Sequence, residues 1–208
     1  MYRVLLVDDH AVVRAGIRAI LEDRFGTLAV TETGSGDGAL SALAAPFDIV
    51  ILDLSMPGRS GIDLLAEIKH RHPELPVLIV SLHAEEQFAV RALRAGAAGY
   101  VMKSSASEHL VAAFERVVRG GRYVSEALAE RLAVQVGGGG STSPHERLSD
   151  REFEVMRGIA SGEAVGEIAS RMNLSVKTIS TYRARLLEKM GMATNAELVR
   201  YAIQNGLV

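Results

Sequence analysis

Ile49-Val50-Ile51-Leu52-Asp53 is a run of four apolar residues closed by an acid. A strand with one wet face alternates apolar and polar side chains; this one has no polar face, so both sides of it must be covered. Runs of the same kind stand before and after it, at Val4 to Val7, Leu28 to Thr31, Val77 to Val80 and Ala98 to Met102. Between them lie apolar patterns of helical period at residues 11–24, 37–45, 61–71, 85–95 and 107–119. Strand and helix in strict alternation predict an α/β fold, a doubly wound parallel five-stranded sheet, with ligands at the carboxyl ends of the strands. Ser105 followed by Glu108 predicts a capping box at the last of these helices.

The residues at the strand ends carry the chemistry. Asp8 and Asp9 close the first strand, Asp53 the third and Ser81 the fourth, and Lys103 follows the fifth. Three carboxylates at one sheet edge repel unless a hard cation with oxygen ligands joins them, and magnesium suits such a site. An ammonium and a hydroxyl complete a phosphoryl site, with a carboxylate nucleophile, a metal and Lys103 for phosphate charge, and Ser81 for a phosphate oxygen. Any one of these residues alone reads more simply as a helix cap or a solvated loop acid; five at the correct strand ends do not. Pro57 and Gly61 read as loop punctuation, and His10 and His83 as solvated residues on the rim.

Composition bounds the remaining classes. The chain has 208 residues, 48% of them hydrophobic, enough for buried cores. It has no cysteine, which removes disulfides, thiolate nucleophiles and thiolate zinc sites. No apolar run approaches the ~20 residues that span a bilayer, so a cytoplasmic location and no membrane partner are expected. Residues 1–133 carry 14 Lys/Arg against 17 Asp/Glu, and residues 148–208 carry 8 against 7. Charge alone therefore does not point to nucleic acid.

Gly137-Gly-Gly-Gly-Ser-Thr-Ser-Pro144 is a low-complexity stretch that reads as a flexible linker. The expected organisation is a first domain at 1–120, a linker helix and glycine-rich linker at 121–147, and a small all-α domain at 148–208. Helical patterns are expected at residues 125–135, 149–161, 164–171, 175–190 and 194–205. Ser149 with Glu152 and Thr194 with Glu197 fit capping boxes, and Ser175 can cap the third helix of the small domain. In that helix Ile179, Tyr182, Leu186, Leu187 and Met190 share one stripe, and Lys177, Ser180, Thr181, Ala184 and Glu188 the opposite one. A short helix, a tight turn and a longer helix with a free polar face suit insertion into a major groove.

Asp8-Asp9, Asp53-Leu-Ser-Met-Pro57, Ser81 and Gly99-Tyr100-Val-Met-Lys103 resemble the response-regulator receiver signature over residues 1–120, a flavodoxin-like fold. Leu148-Ser-Asp-Arg-Glu, Glu167-Ile-Ala and the run Ser175 to Gly191 resemble the LuxR-type helix-turn-helix. Together they resemble the NarL/FixJ branch of two-component response regulators. The resemblance implies Asp53 as phosphoacceptor, Asp9 and Asp53 as direct Mg2+ ligands, Asp8 through water, and the Ser55 carbonyl as a further ligand. It implies Ser81 and Lys103 on the phosphoryl group, and Ser81 with Tyr100 as the switch. It implies DNA-backbone contacts from Lys177, Thr178, Tyr182, Arg183 and Arg185, with Ser180, Thr181 and Ala184 facing bases. The implied partners are a sensor histidine kinase, double-stranded promoter DNA and a second copy of the chain. A magnesium-dependent aspartyl-phosphate enzyme would need a second acid two residues after the nucleophile, where Ser55 stands. A receiver acting only as a phosphorylation-independent dimer scaffold is the other alternative.

Overall fold

The computed structural model describes residues 1–56, 61–82, 85–130 and 143–208. The chain divides into two compact units, Met1–Gly137 and Gly138–Val208. In the first, β1 (Arg3–Val7), α1 (Ala11–Phe25), β2 (Ala29–Thr33), α2 (Gly36–Ala42), β3 (Ile49–Leu52), α3 (Gly61–Arg71), β4 (Val77–Ser81), α4 (Glu85–Arg94), β5 (Gly99–Met102) and α5 (Ala106–Val118) alternate as expected. The strands form one sheet in the order β2-β1-β3-β4-β5, with every pair parallel. Val4, Leu6, Ile51 and Val80 meet Ile17 and Leu21 of α1 and Leu110 and Phe114 of α5 in one core. Leu5, Val7, Val50 and Leu52 point to the opposite face and are equally buried, as two covered faces require.

The edges depart from the sequence pattern for physical reasons. The second strand runs two residues past the expected Thr31, through Glu32 and Thr33. It is an edge strand, only partly buried, so its end need not be apolar. The capping box expected at Ser105 does not form: a 3-10 turn at Lys103–Ser105 intervenes, and the Ser105 hydroxyl donates to the Met102 carbonyl instead. At the other edge, Tyr123 forms a parallel bridge with Gly99 and shields the exposed side of β5. A side chain at Gly99 would lie 2.9 Å from the Tyr123 carbonyl oxygen, which explains the glycine. Residues 126–130 are helical and constitute α6; the rest of the helix expected at 125–135 lies outside the described residues. The same holds for Pro57, His83 and the glycines of the expected linker. Among the described residues no helix is long and apolar enough to cross a membrane.

The second unit contains α7 (Asp150–Ala160), α8 (Val165–Arg171), α9 (Val176–Met190) and α10 (Asn195–Gln204), without a strand among its described residues. Phe153, Met156, Ile168, Ile179, Leu186 and Leu198 are buried in it. Ser149 and Glu152 form the expected capping box, and Ser175 caps α9 by accepting from the Thr178 amide at 3.1 Å. The box expected at Thr194 is only half made, because Glu197 accepts from the Ala193 amide, one residue early.

Glu152 also accepts from Lys189 Nζ at 2.7 Å, so one buried carboxylate ties the start of α7 to the end of α9. Burial opposes its ionisation, but the Lys189 ammonium, the Ser149 amide and the Ser149 hydroxyl outweigh burial and hold its pKa below the ordinary 4.5. A carboxyl with a lowered folded pKa stabilises fully above its unfolded value, and that contribution disappears as pH falls through the folded one. Glu152→Gln is expected to destabilise the second unit by about 1–3 kcal/mol at neutral pH. Denaturant unfolding of both proteins should show the difference shrinking as the pH is taken below 4.5.

Candidate functional site

Parallel register brings the acids together. Val7 stands opposite Leu52, so Asp8 and Asp53 leave neighbouring strands side by side. The Asp8 amide is held by the Thr33 carbonyl and the Asp53 amide by the Val7 carbonyl. Both acids are buried, each about 1% exposed, whereas Asp9 lies at the surface. Lys103 Nζ donates to Asp53 Oδ2 at 2.7 Å. It is also 2.7 Å from Asp8 Oδ2, an ion pair without hydrogen-bonding geometry, which leaves that buried oxygen with no hydrogen-bond partner. The Ser55 amide donates to Asp53 Oδ1 at 3.0 Å, and the Ser55 and Ser81 hydroxyls are 3.5 Å apart. Tyr100 and Ser81 are both fully buried.

Charge in this pocket is unbalanced. Burial raises the pKa of Asp53, and the Lys103 and Ser55 hydrogen bonds do not bring it back to its ordinary value. Burial pulls Lys103 down, but its hydrogen bond to Asp53 and its ion pair with Asp8 raise it overall, so the ammonium stays charged. Asp8, Asp9, His10 and Asp53 each offer a ligand atom, all within 4.8 Å of one another. An unbonded buried carboxylate oxygen and a donor set dominated by carboxylates fit a divalent cation such as magnesium.

Two supports could not be read from single positions. Arg14 on α1 donates from Nη1 to the Asp8 carbonyl at 2.6 Å and from Nε to Glu32 at 3.0 Å, and Arg18 also binds Glu32 at 2.9 Å. This fork fastens the β1–α1 turn, and its only trace in the sequence is a pair of arginines four residues apart on one helix. Gly61 is more than punctuation: a Cβ there would lie 2.4 Å from Leu54 Cα, so only glycine lets α3 start against the segment that follows Asp53. His10 is a rim residue as expected, its side chain 56% exposed, with Nδ1 2.9 Å from Oδ1 of the neighbouring surface acid Asp9.

In the second unit α8 and α9 are joined through Asn173, whose φ of 52° is left-handed, a conformation asparagine tolerates. Lys177, Ser180, Thr181, Ala184 and Arg185 are exposed along α9. Thr178, Tyr182 and Arg183 are half-buried; Arg183 donates from Nε to Asn195 Oδ1 at 2.7 Å, and the Thr178 hydroxyl meets Ser175 at 2.8 Å. The structure thus brings five of the candidate DNA-facing residues onto one open stripe and turns three toward the protein. Val176, absent from the expected set, is 54% exposed in the first turn of that helix.

A doubly wound sheet with this pocket, together with a helix-turn-helix, defines a receiver coupled to a DNA-binding module. Residues 4–115 match the response regulator receiver domain, and residues 146–202 match the bacterial regulatory proteins of the luxR family. The whole chain is 38% identical over 209 residues to the response regulator UvrY of Escherichia coli O6:H1, of which 96% is covered. It is 36% identical over 210 residues to the response regulator GacA of Pseudomonas protegens, of which 98% is covered. At 30% identity it is similar to the structure of RcsB from Salmonella enterica serovar Typhimurium bound to promoter rprA in the presence of phosphomimetic BeF3-. The TM-score is 0.65, with 97% of this chain and 98% of that chain covered. The chain belongs to the two-component response regulators of the NarL/FixJ branch: it is a transcriptional regulator with a LuxR-type DNA-binding domain.

Gly61→Ala is expected to destabilise the first unit by about 2 kcal/mol, because a backbone contact of 2.4 Å forces the segment after Asp53 to move. Denaturant unfolding followed by circular dichroism checks this, with Gly16→Ala, which meets nothing within 4 Å, as the control.

Proposed function

We propose that Asp53 accepts a phosphoryl group from the phosphohistidine of a sensor histidine kinase, and that the phosphorylated chain pairs as a homodimer on double-stranded promoter DNA. The observation that carries this is the buried Asp53 carboxylate under the Lys103 ammonium at 2.7 Å. An Asp53 oxygen forms the bond to phosphorus, the bond from phosphorus to the kinase nitrogen breaks, and that nitrogen keeps the electron pair and takes up a proton. Lys103 neutralises charge on the carboxylate before transfer and on a phosphoryl oxygen after it. The Ser81 hydroxyl bonds another phosphoryl oxygen, and its displacement, with Tyr100, is the switch. A bound Mg2+, held by Asp8, Asp9, Asp53 and the Ser55 carbonyl, would supply further positive charge to the phosphoryl oxygens. The transfer is a modification of the chain and not turnover of a substrate, so the protein is a regulator and not an enzyme.

The working division is a receiver at 1–120, a connecting segment at 121–147 and a DNA-binding domain at 148–208. Lys177 and Arg185 meet phosphates, and Ser180, Thr181 and Ala184 face base edges; Thr178, Tyr182 and Arg183 hold the helix at the groove. A chain that must meet both a kinase and DNA works in the cytoplasm.

Incubation with Mg2+ and phosphoramidate should add one phosphoryl group to the wild type and none to Asp53→Asn, read by intact mass. A dimer fraction that rises only in the wild type supports the reading, and equal DNA binding by the two proteins would favour a phosphorylation-independent scaffold. Lys177→Ala and Arg185→Ala should each weaken binding to all sequences and reduce the slope of log affinity against log salt by about 1. Fluorescence anisotropy on a promoter fragment at several salt concentrations measures it.

A further inference from the structure

The arginines of the first unit fall into two groups. Arg3, Arg14, Arg18, Arg24 and Arg71 each have a carboxylate within 3.1 Å, and Arg91 and Arg94 are engaged as well. Among the described residues Arg116, Arg119 and Arg122 have no such partner, and all three are exposed. They stand in one stretch, Arg116-Val-Val-Arg119-Gly-Gly-Arg122, which contains no acid. The acid next to it in sequence, Glu115, is taken by Arg24 at 3.1 Å. The carbonyl end of α5 favours cations in the last turn, which explains Arg116 and Arg119 but not Arg122, beyond the helix. There Gly120, with φ 82°, turns the chain, and the Gly121 amide donates back to the Arg116 carbonyl at 2.9 Å. Arg116 and Arg119 border, with Gly121 and Tyr123, a hollow of about 430 Å³. Arg122 borders the adjoining hollow beside Glu74, without an ion pair to it.

We infer that Arg116, Arg119 and Arg122 form a phosphate-backbone contact, through which the first unit holds duplex DNA beside the site read by α9. An exposed cluster of unpaired guanidiniums recognises a polyanion, and arginine meets phosphate with two donors at once. DNA is the polyanion that the second unit brings to this chain; the inference goes beyond the contacts proposed for α9 but rests, as they do, on the chain meeting a duplex. The second unit leaves a deficit there. Lys177 and Arg185 are the cations on the exposed stripe of α9, and affinity grows with the number of phosphates neutralised. Residues 123–147, between the cluster and the second unit, span at most about 80 Å. DNA within roughly two helical turns of the recognition site is therefore within reach of the cluster.

The test is fluorescence anisotropy of the full chain on a mixed-sequence duplex of about 40 base pairs, at several salt concentrations. Arg116→Gln, Arg119→Gln and Arg122→Gln made together should lower the slope of log affinity against log salt by about 2 to 3. Lysine at the same three positions should keep the slope, because a point charge also binds phosphate. Arg71→Gln, which removes an exposed but paired cation, should leave it unchanged. An unchanged slope in the triple Gln variant overturns the inference, and so does an equal fall for Arg71→Gln, which reports net charge alone. A lower dimer fraction with an unchanged slope overturns it too, and makes the cluster an interface between copies. Phosphoryl uptake from phosphoramidate should be equal in all these proteins; its loss in the Gln variant but not the Lys variant makes the cluster a support of the fold and overturns the inference. If Lys177→Ala and Arg185→Ala also leave the slope unchanged, the reading of α9 fails as well. If they lower it and the triple Gln variant does not, only the contact from the first unit fails.

Discussion

One ammonium between two buried carboxylates is the constraint on which the first unit depends. Asp8 and Asp53 are both buried, and Lys103 lies 2.7 Å from each. Removing two carboxylates from water costs several kcal/mol each, and a single shared cation does not offset that. The arrangement is possible only where a sheet covered on both faces ends, because there the strands deliver polar groups from under apolar cover. It persists because Arg14 and the amides of His10 and Ser55 hold the turns that present the acids.

A comparison within the same chain shows what this imbalance signifies. Glu152 is also a buried carboxylate met by one lysine. There burial is outweighed by Lys189 and by the Ser149 amide and hydroxyl, and the pKa falls. For Asp53, burial is the larger influence, Lys103 and the Ser55 amide do not overcome it, and the pKa rises. Glu152 is thus a satisfied structural acid that closes a helix end. Asp53 is an acid whose surroundings call for more positive charge than the protein supplies, a perturbation of the kind that clusters at functional sites.

The sequence made the central strands plain and the periphery less so. Ile49 to Leu52 is apolar at every position because β3 lies in the middle of the sheet, and the same logic located Asp53, Asp8, Ser81 and Lys103 at strand ends. β2 was harder to bound because an edge strand is free to end in Glu32 and Thr33. Ser105 and Glu108 have the spacing of a capping box, but the 3-10 turn ahead of them sends the hydroxyl to Met102. Arg14 with Glu32, Arg183 with Asn195 and Lys189 with Glu152 join residues 12 to 37 positions apart. Such pairs depend on how helices pack, which local spacing does not encode.

The near-neutral charge of residues 148–208 acquires a meaning from those pairings. Arg151, Arg171 and Lys189 are in ion pairs with Glu154, Glu163 and Glu152, Arg157 donates to the Leu207 carbonyl, and Arg183 is turned to Asn195. Lys177 and Arg185 are the cations on the exposed stripe of α9, where Glu188 is also exposed. Affinity for DNA grows with the number of phosphates neutralised, so one such domain has little non-specific hold on a duplex. Two such domains held together bind as one ligand, because the second half-site is met at the high effective concentration set by the first. A recognition stripe that carries two cations therefore gains disproportionately wherever two copies of the domain are held on one duplex.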